Sequence, residues 1–229
     1  MIFLSGLPRT GSTLLSAILS QNPEIHAEGN SAVCQLMWDV QQSCERSEQL
    51  AANNRQATQD ALVASIPAIY YRDVRARHIV DKCRSWTLPD NMAMIRRYIT
   101  DDPKVIVLTR PVDEIVRSFV ELRRANGWTG DLERGLLDAG SEPIMRSLDG
   151  VTYAQVVNSG EFLFIEYADL IADTPEVLRS VYDFAGFDSF DHDLSHIVNA
   201  HPENDLVYGL LGQHEIRPTI GERQWATSH

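Results

Sequence analysis

Lysine is almost missing from this chain. Of its 20 basic residues only Lys82 and Lys104 are lysines, and the rest are arginines. The base composition of the gene accounts for such a bias, yet the bias makes the place of either lysine informative. Cysteine is scarce too: Cys34, Cys44 and Cys83 are odd in number, widely spaced and without a C-x-x-C pair. That pattern argues against a disulfide framework and a zinc site and leaves three reduced, structural thiols. No uninterrupted apolar run approaches the roughly 20 residues of a membrane-spanning helix. Met1 leads directly into IFLSG, which leaves no room for a leader peptide, so a soluble, cytoplasmic protein is expected. Positive charge is also short, with 20 basic against 32 acidic side chains and a net charge of -12. Such a balance disfavours a nucleic acid or a membrane surface as partner of the whole molecule, while leaving room for a local basic pocket.

What is present is ordinary for a globular protein. With 229 residues, 44% hydrophobic and 23% charged, one domain spanning 1-229 is expected. Residues 2 to 5 read as a short apolar strand that turns at Gly6, and a helix follows from Ser12 or Thr13. PEIHAEGNS reads as a loop, with Pro23 and Gly29 as breakers. Helical spacing covers about 31 to 53 and 56 to 72. RHIVD at 77 to 81 and KVIVLTR at 104 to 110 are candidate strands on either side of a helix near 89 to 100. The second of these is continuously apolar, as a strand buried on both faces is. Pro111 opens a further helix with acidic residues close behind it. Residues 126 to 160 are punctuated by glycine and hard to read. EFLFIEY at 161 to 167 is a strand, and it leads through ADLIADT to the helix PEVLRSVYDFAGF. Strands alternating with helices predict an α/β fold with a mainly parallel central sheet, whose ligands sit at the carboxyl ends of the strands. The core ends near residue 187, and residues 188-229 are polar and irregular.

FLSGLPRTGSTLLSAIL, Phe3 to Leu19, has the strand, turn and helix of a phosphate-binding loop. Gly6, Gly11 and Thr13 fit the G-x-x-x-x-G-K-[ST] pattern, but Ser12 stands where lysine belongs. Backbone N–H groups of residues 9 to 13 and the positive helix end still suit a short anion. Arg9, inside the turn, adds a planar fork of donors for phosphate or sulfonate. Arg110 ends a strand, and Ser118 follows eight residues later in VLTRPVDEIVRSFVEL. Alone, an arginine at a strand end is more often a surface ion pair. Together with the loop, Arg110 and Ser118 read as a second phosphate site.

GLPRTGSTLLSAILSQNPEI and VIVLTRPVDEIVRSFVELRR resemble the sulfotransferases that use 3′-phosphoadenosine 5′-phosphosulfate (PAPS). The resemblance implies a P-loop-like fold, with the first motif (Pro8, Arg9, Thr10, Gly11, Ser12, Thr13) on the 5′-phosphosulfate and Arg110 with Ser118 on the 3′-phosphate. FIEYADLIADTPEVLRSVYDFAGF is similar to the family's Y-E-D-L segment, with Ala168 replacing the glutamate, and implies Tyr167 near the nucleotide. VDKCRSW resembles a fourth motif, which implies Lys82 at the transferring group. The implied reaction is sulfuryl transfer to an acceptor hydroxyl, without a metal, giving adenosine 3′,5′-bisphosphate (PAP). In related enzymes with a glutamate base that residue lies in the loop after the first helix, which implies Glu28; a strict ungapped match puts Asn30 there, and His26 is a second candidate.

Other groups stay open. His192 and His196 stand one helical turn apart near Asp191, Asp193 and His201, a spacing suited either to a metal or to a solvated helix. His214, Arg217 and Arg223 lie in a glycine-punctuated tail that either folds over the cofactor, with Arg217 facing phosphate, or stays on the surface. Trp38, Trp86 and Trp128 line an acceptor pocket or pack in the core. The rival enzyme is a P-loop kinase or NTPase, with Asp81 as metal holder, and the rival non-enzyme is a nucleotide-binding module. A small hydroxylated metabolite is the first expected acceptor and a peptide tyrosine the second.

Overall fold

In the computed structural model, which describes residues 1–220, five strands form one sheet. They are β1 (Ile2–Gly6), β2 (Ile25–Asn30), β3 (His78–Lys82), β4 (Val105–Thr109) and β5 (Phe162–Glu166). Their order is β2-β3-β1-β4-β5, and every pairing is parallel. All carboxyl ends therefore lie along one edge. The chain leaves β1 for β2 and β3 on one side and later crosses to β4 on the other, which puts the switch point of the sheet at the end of β1.

Successive strand residues face opposite sides, and the two central strands show the consequence. Phe3, Val105 and Val107 join one apolar cluster, and Leu4, Ile106 and Leu108 join the other. The first cluster is completed by α2 (Val33–Glu45), α4 (Gln56–Tyr70), α5 (Pro89–Tyr98), α6 (Val112–Ala125) and α7 (Met145–Val157). The second is completed by α1 (Ser12–Leu19), α8 (Tyr167–Ala172) and α9 (Thr174–Ala185). In α6, Ile115, Phe119 and Leu122 form the buried face, with Asp113 and Glu114 in the first turn and Arg123 and Arg124 in the last. Those charges complement the helix dipole.

Several segments differ from the sequence reading. PEIHAEGNS is not a loop throughout, because Ile25–Asn30 is the edge strand β2, with Ile25 and Ala27 inward and His26, Glu28 and Asn30 on the other face. The helix expected over 31 to 53 is two, α2 and α3 (Glu48–Ala52), and Ser47 ends the gap by accepting the Leu50 N–H. Residues 191 to 200 form turns instead of a helix, so His192 and His196 do not share a helix face. Among the described residues beyond α9 the regular element is one 3₁₀ turn, Asp205–Tyr208. Among the described residues, no helix is long and apolar enough to cross a membrane, and the three cysteines are free.

Candidate active site at the end of the central strand

Gly6 ends β1 with φ of 123°, and a Cβ there would run into the backbone of Leu108 on β4. Only glycine lets the chain turn this close to its neighbour. Thr10 then closes the loop by donating its hydroxyl to the Leu7 carbonyl at 2.7 Å. Arg9 (φ 61°) and Gly11 (φ 80°) are both left-handed, a conformation that costs a non-glycine residue roughly 1–2 kcal/mol. Strain of this kind at Arg9 is a sign of a functional constraint. α1 starts with no side-chain cap and no acidic residue in its first turn, so its positive end faces the cleft that Gly11, Ser12 and Thr13 line.

The second motif meets this loop. Arg9 Nε donates to Ser118 Oγ at 3.0 Å, and its Nη1 donates to the Gln213 carbonyl. Arg110, one residue past β4, donates from Nη1 to the Arg9 carbonyl at 3.1 Å and from Nε to Glu114 at 2.9 Å. Its guanidinium lies 4.4 Å from the centre of the Tyr167 ring, the first residue of α8. Residues that are far apart in the chain thus converge because the ends of β1, β4 and β5 share one edge.

Lys82 is the last residue of β3 and is almost wholly buried, at 3% exposure. Its Nζ donates to Thr13 Oγ1 at 3.1 Å, and burial pushes its pKa down to about 8. An ammonium therefore does stand against the phosphate loop, supplied by a neighbouring strand. Lys104 has another use, since its Nζ donates to the Phe184 carbonyl at 2.8 Å. Asp81 faces the opposite way from Lys82. It accepts from Ser31 Oγ at 2.7 Å, Tyr71 OH at 2.8 Å and Trp86 Nε1 at 2.6 Å, and burial raises its pKa.

The far wall of the cleft comes from the C-terminal segment, through Gln213, His214, Glu215, Ile216, Arg217 and Thr219. Glu203 enters beside it, over Gly29, where any Cβ would collide with the glutamate side chain. Its Oε1 accepts from Asn30 Nδ2 at 2.9 Å and from Tyr208 OH at 3.1 Å. Its Oε2 is buried without a hydrogen bond and lies 3.7 Å from both Lys82 Nζ and His214 Nε2. His214 Nδ1 is 2.6 Å from Asp205 Oδ1. Burial lowers the His214 pKa, against the opposing pull of Asp205 and Glu203. The whole cleft holds about 330 Å³.

Of the residues expected from sequence, Pro8, Arg9, Gly11, Ser12, Thr13, Lys82, Arg110, Ser118, Tyr167 and Arg217 all line this cleft. The side chain of Thr10 does not, being fully buried inside the loop. Glu28 is also outside the lining, with its carboxylate 3.3 Å from His26 Nε2. His26 itself packs against His201 and Tyr71. His192 bonds the Tyr182 hydroxyl at 2.8 Å, and among the described residues no group of His, Cys, Asp or Glu is arranged to hold a metal. Trp86 is core and Trp128 lies under Arg123, while none of the three expected tryptophans lines the cleft. Arg223 lies outside the described residues. Sequence reasoning missed Glu203, Asp205 and Arg84, and it weighed Asn30 only as an alternative register; no local pattern marks the first two.

A sequence model of the sulfotransferase family matches residues 2–192. No curated protein matches the chain significantly. Among solved structures, it resembles a sulfotransferase from Alicyclobacillus acidocaldarius, with a TM-score of 0.57 and 16% identity over 91% of this chain and 87% of that one. The sulfotransferase domain of the Synechococcus PCC 7002 olefin synthase gives 0.55 and 24%, over 83% and 74% of the two chains. The sulfotransferase domain from the curacin biosynthetic pathway gives 0.54 and 16%, over 83% and 75%. At these identities the structures speak for the fold alone. The sequence match spans both strand-end motifs and the Lys82 strand, and by it the chain belongs to the sulfotransferase family.

Proposed function

We propose that this protein transfers a sulfuryl group from PAPS to the hydroxyl of a small acceptor molecule by in-line displacement. The observation that carries the reading is the convergence on one cleft of two groups, Arg110 with Ser118 and Lys82 with the start of α1, joined by Arg9. A nucleotide with separate 3′- and 5′-anionic groups needs two such positions. The residues fit it: the loop gives a backbone cradle and Arg9, while Arg110 and the buried Lys82 ammonium stand against it from the neighbouring strands. About 330 Å³ is within the usual size of a small-ligand pocket.

When bound, the donor supplies a sulfuryl group already activated by its anhydride link to phosphate. The chain supplies position and charge. Backbone N–H groups of the loop and the positive end of α1 hold the 5′ side, with Ser12 and Thr13 hydroxyls beside them. Lys82 and Arg9 stabilise negative charge that grows on the leaving side, work that Ser12 cannot do. Arg110 and Ser118 hold the 3′-phosphate, Tyr167 fixes the Arg110 plane by stacking, and Arg217 adds charge from the far wall. An NTPase reading is disfavoured by Asp81, whose two oxygens are engaged by Ser31, Tyr71 and Trp86 inside the core.

Calorimetry with PAP, its 3′-dephospho analogue and ATP with Mg²⁺ tests this. The parent should prefer PAP, and Arg110→Ala should abolish the preference over the dephospho analogue while barely changing binding of that analogue. Tight binding of ATP with Mg²⁺ alone would favour the kinase reading. PAP binding without sulfate transfer to any of a panel of alcohols, phenols and tyrosine peptides would favour the binding module.

A further inference from the structure

The family match stops at residue 192, yet one wall of the cleft is built by residues beyond it. Among them is an aspartate–histidine pair. Asp205 Oδ1 lies 2.6 Å from His214 Nδ1, and Asp205 Oδ2 accepts the backbone N–H of His214 at 3.2 Å. Two contacts from one carboxylate hold the ring, and the shorter one calls for a proton on Nδ1, which leaves the lone pair on Nε2 when the ring is neutral. Around Nε2 the amide nitrogens of Asn30 and Gln213 lie at 3.3 and 3.4 Å and Glu203 Oε2 at 3.7 Å, contacts at or beyond the long end of the hydrogen-bond range that an acceptor hydroxyl would have to replace.

We propose that His214, oriented by Asp205, is the base that takes the proton from the acceptor hydroxyl. The inference rests on the sulfotransfer reading above. His214 lines the cleft and lies across from Lys82, with Glu203 Oε2 between them at 3.7 Å from each. Glu28 and His26 do not reach the cleft. Glu203 is the weaker base, since Oε1 is already engaged by Asn30 and Tyr208 and Oε2 faces the Lys82 ammonium. The charged and titratable groups facing His214 are Asp205, Glu203, Lys82 and the Tyr208 ring, centred 5.1 Å away. With burial lowering its pKa, the imidazole is neutral near pH 7 and can accept. In the step, the acceptor O–H proton moves to Nε2 as the acceptor oxygen bonds to sulfur. The bond from sulfur to the bridging oxygen breaks, and its electron pair stays on the 5′-phosphate of PAP. Asp205 stabilises the imidazolium, which returns its proton to solvent.

The test uses the full chain, PAP as the binding probe, and labelled sulfate transfer from PAPS to phenols, alcohols and water as the activity probe. His214→Gln should bind PAP much as the parent does and lose turnover by roughly 10²- to 10⁴-fold. Asp205→Asn, close in shape, should lose part of it and shift the acid limb of the pH profile to lower pH, because the carboxylate that favours the imidazolium is gone. Imidazole in the buffer should partly restore His214→Ala. Independently of activity, ¹⁵N spectra of the ring should show the Nδ1–H tautomer, titrating below the ordinary 6.5, and Asp205→Asn should disturb it. Parent-like turnover in His214→Gln with PAP still bound, or a ring already charged at neutral pH, overturns the proposal. A parent that binds no PAP, or transfers sulfate to nothing, instead overturns the sulfotransfer reading, and the base falls with it.

Discussion

Lys82 keeps its ammonium out of water, 3.1 Å from a hydroxyl and 3.7 Å from a carboxylate oxygen. Burial is the larger effect, and Glu203 only partly offsets it, so the pKa falls from 10.5 to about 8. Without ligand, the unfolded chain holds this proton more tightly than the folded one between about 8 and 10.5. The contribution of Lys82 to stability therefore rises with pH across that window. Anion binding runs the other way, because the protonated form attracts the 5′ group and the bound anion raises the lysine pKa. PAP affinity is expected to be flat below pH 7 or so and to weaken by up to about tenfold per pH unit above 8, with protons taken up on binding. Lys82→Arg should hold its affinity constant through the same range, since a guanidinium does not titrate there. Calorimetry in buffers of different ionisation enthalpy reads both quantities; a parent whose affinity and proton uptake ignore pH between about 7 and 9.5 contradicts a depressed lysine.

The turn between β1 and α1 depends on Gly6 and Gly11, and the first has the less room. An added methyl at Gly6 must push into the backbone of Leu108 from a φ that L-residues avoid. Gly6→Ala is expected to cost about 3 kcal/mol or more, because neither strand can shift without breaking the ladder. Urea denaturation measures this, and a loss under about 1 kcal/mol would mean that β4 yields. Elements with a strong local signature were legible before the structure. The β1 turn carries its glycines, β4 is an unbroken apolar run, and α6 shows its period of buried Ile115, Phe119 and Leu122 between charged ends. β2 was not, because His26, Glu28 and Asn30 occupy one whole face of an edge strand and Gly29 looks like a breaker. That glycine instead admits the Glu203 side chain. α7 was hidden by Gly150, which is mid-helix because a Cβ would come within 2.6 Å of Thr87 Oγ1. The gathering of Arg9, Ser12, Thr13, Lys82, Arg110, Ser118 and Tyr167 on one cleft was readable for the same reason as β1 and α6, since these residues sit inside local motifs. Glu203 and Asp205 were unreadable because their partners, Lys82 and His214, are chosen by tertiary packing that leaves no spacing in the chain.

Over the whole molecule, charge and chain order are both uneven. A protein of net charge -12 gathers Arg9, Lys82, Arg84, Arg110 and Arg217 around one cleft, with Glu215 the acidic exception in its lining. That local reversal would let the proposed anionic nucleotide bind against the long-range repulsion of the surface. The order of the chain divides the work. Both apolar clusters are complete by Phe187 except for Ile197 and the partly buried Leu194, Leu210, Ile216 and Ile220. The tail is tied back by the Ile197 N–H to Pro218 carbonyl bond at 2.7 Å and by the Arg9 contact with Gln213. A chain ended after residue 200 should therefore still unfold cooperatively, with a loss of roughly 2–4 kcal/mol for the apolar contacts of three partly buried side chains. It would also lose Glu203, His214 and Arg217 together, opening the cleft on one side and giving Lys82 to solvent. PAP affinity should fall by more than about tenfold, and the Lys82 pKa should climb back toward 10.5 as water replaces protein around it. Denaturation and calorimetry on the shortened chain separate the two claims: loss of a cooperative transition would make the tail part of the core, and unchanged PAP affinity would mean that the far wall holds no part of the nucleotide.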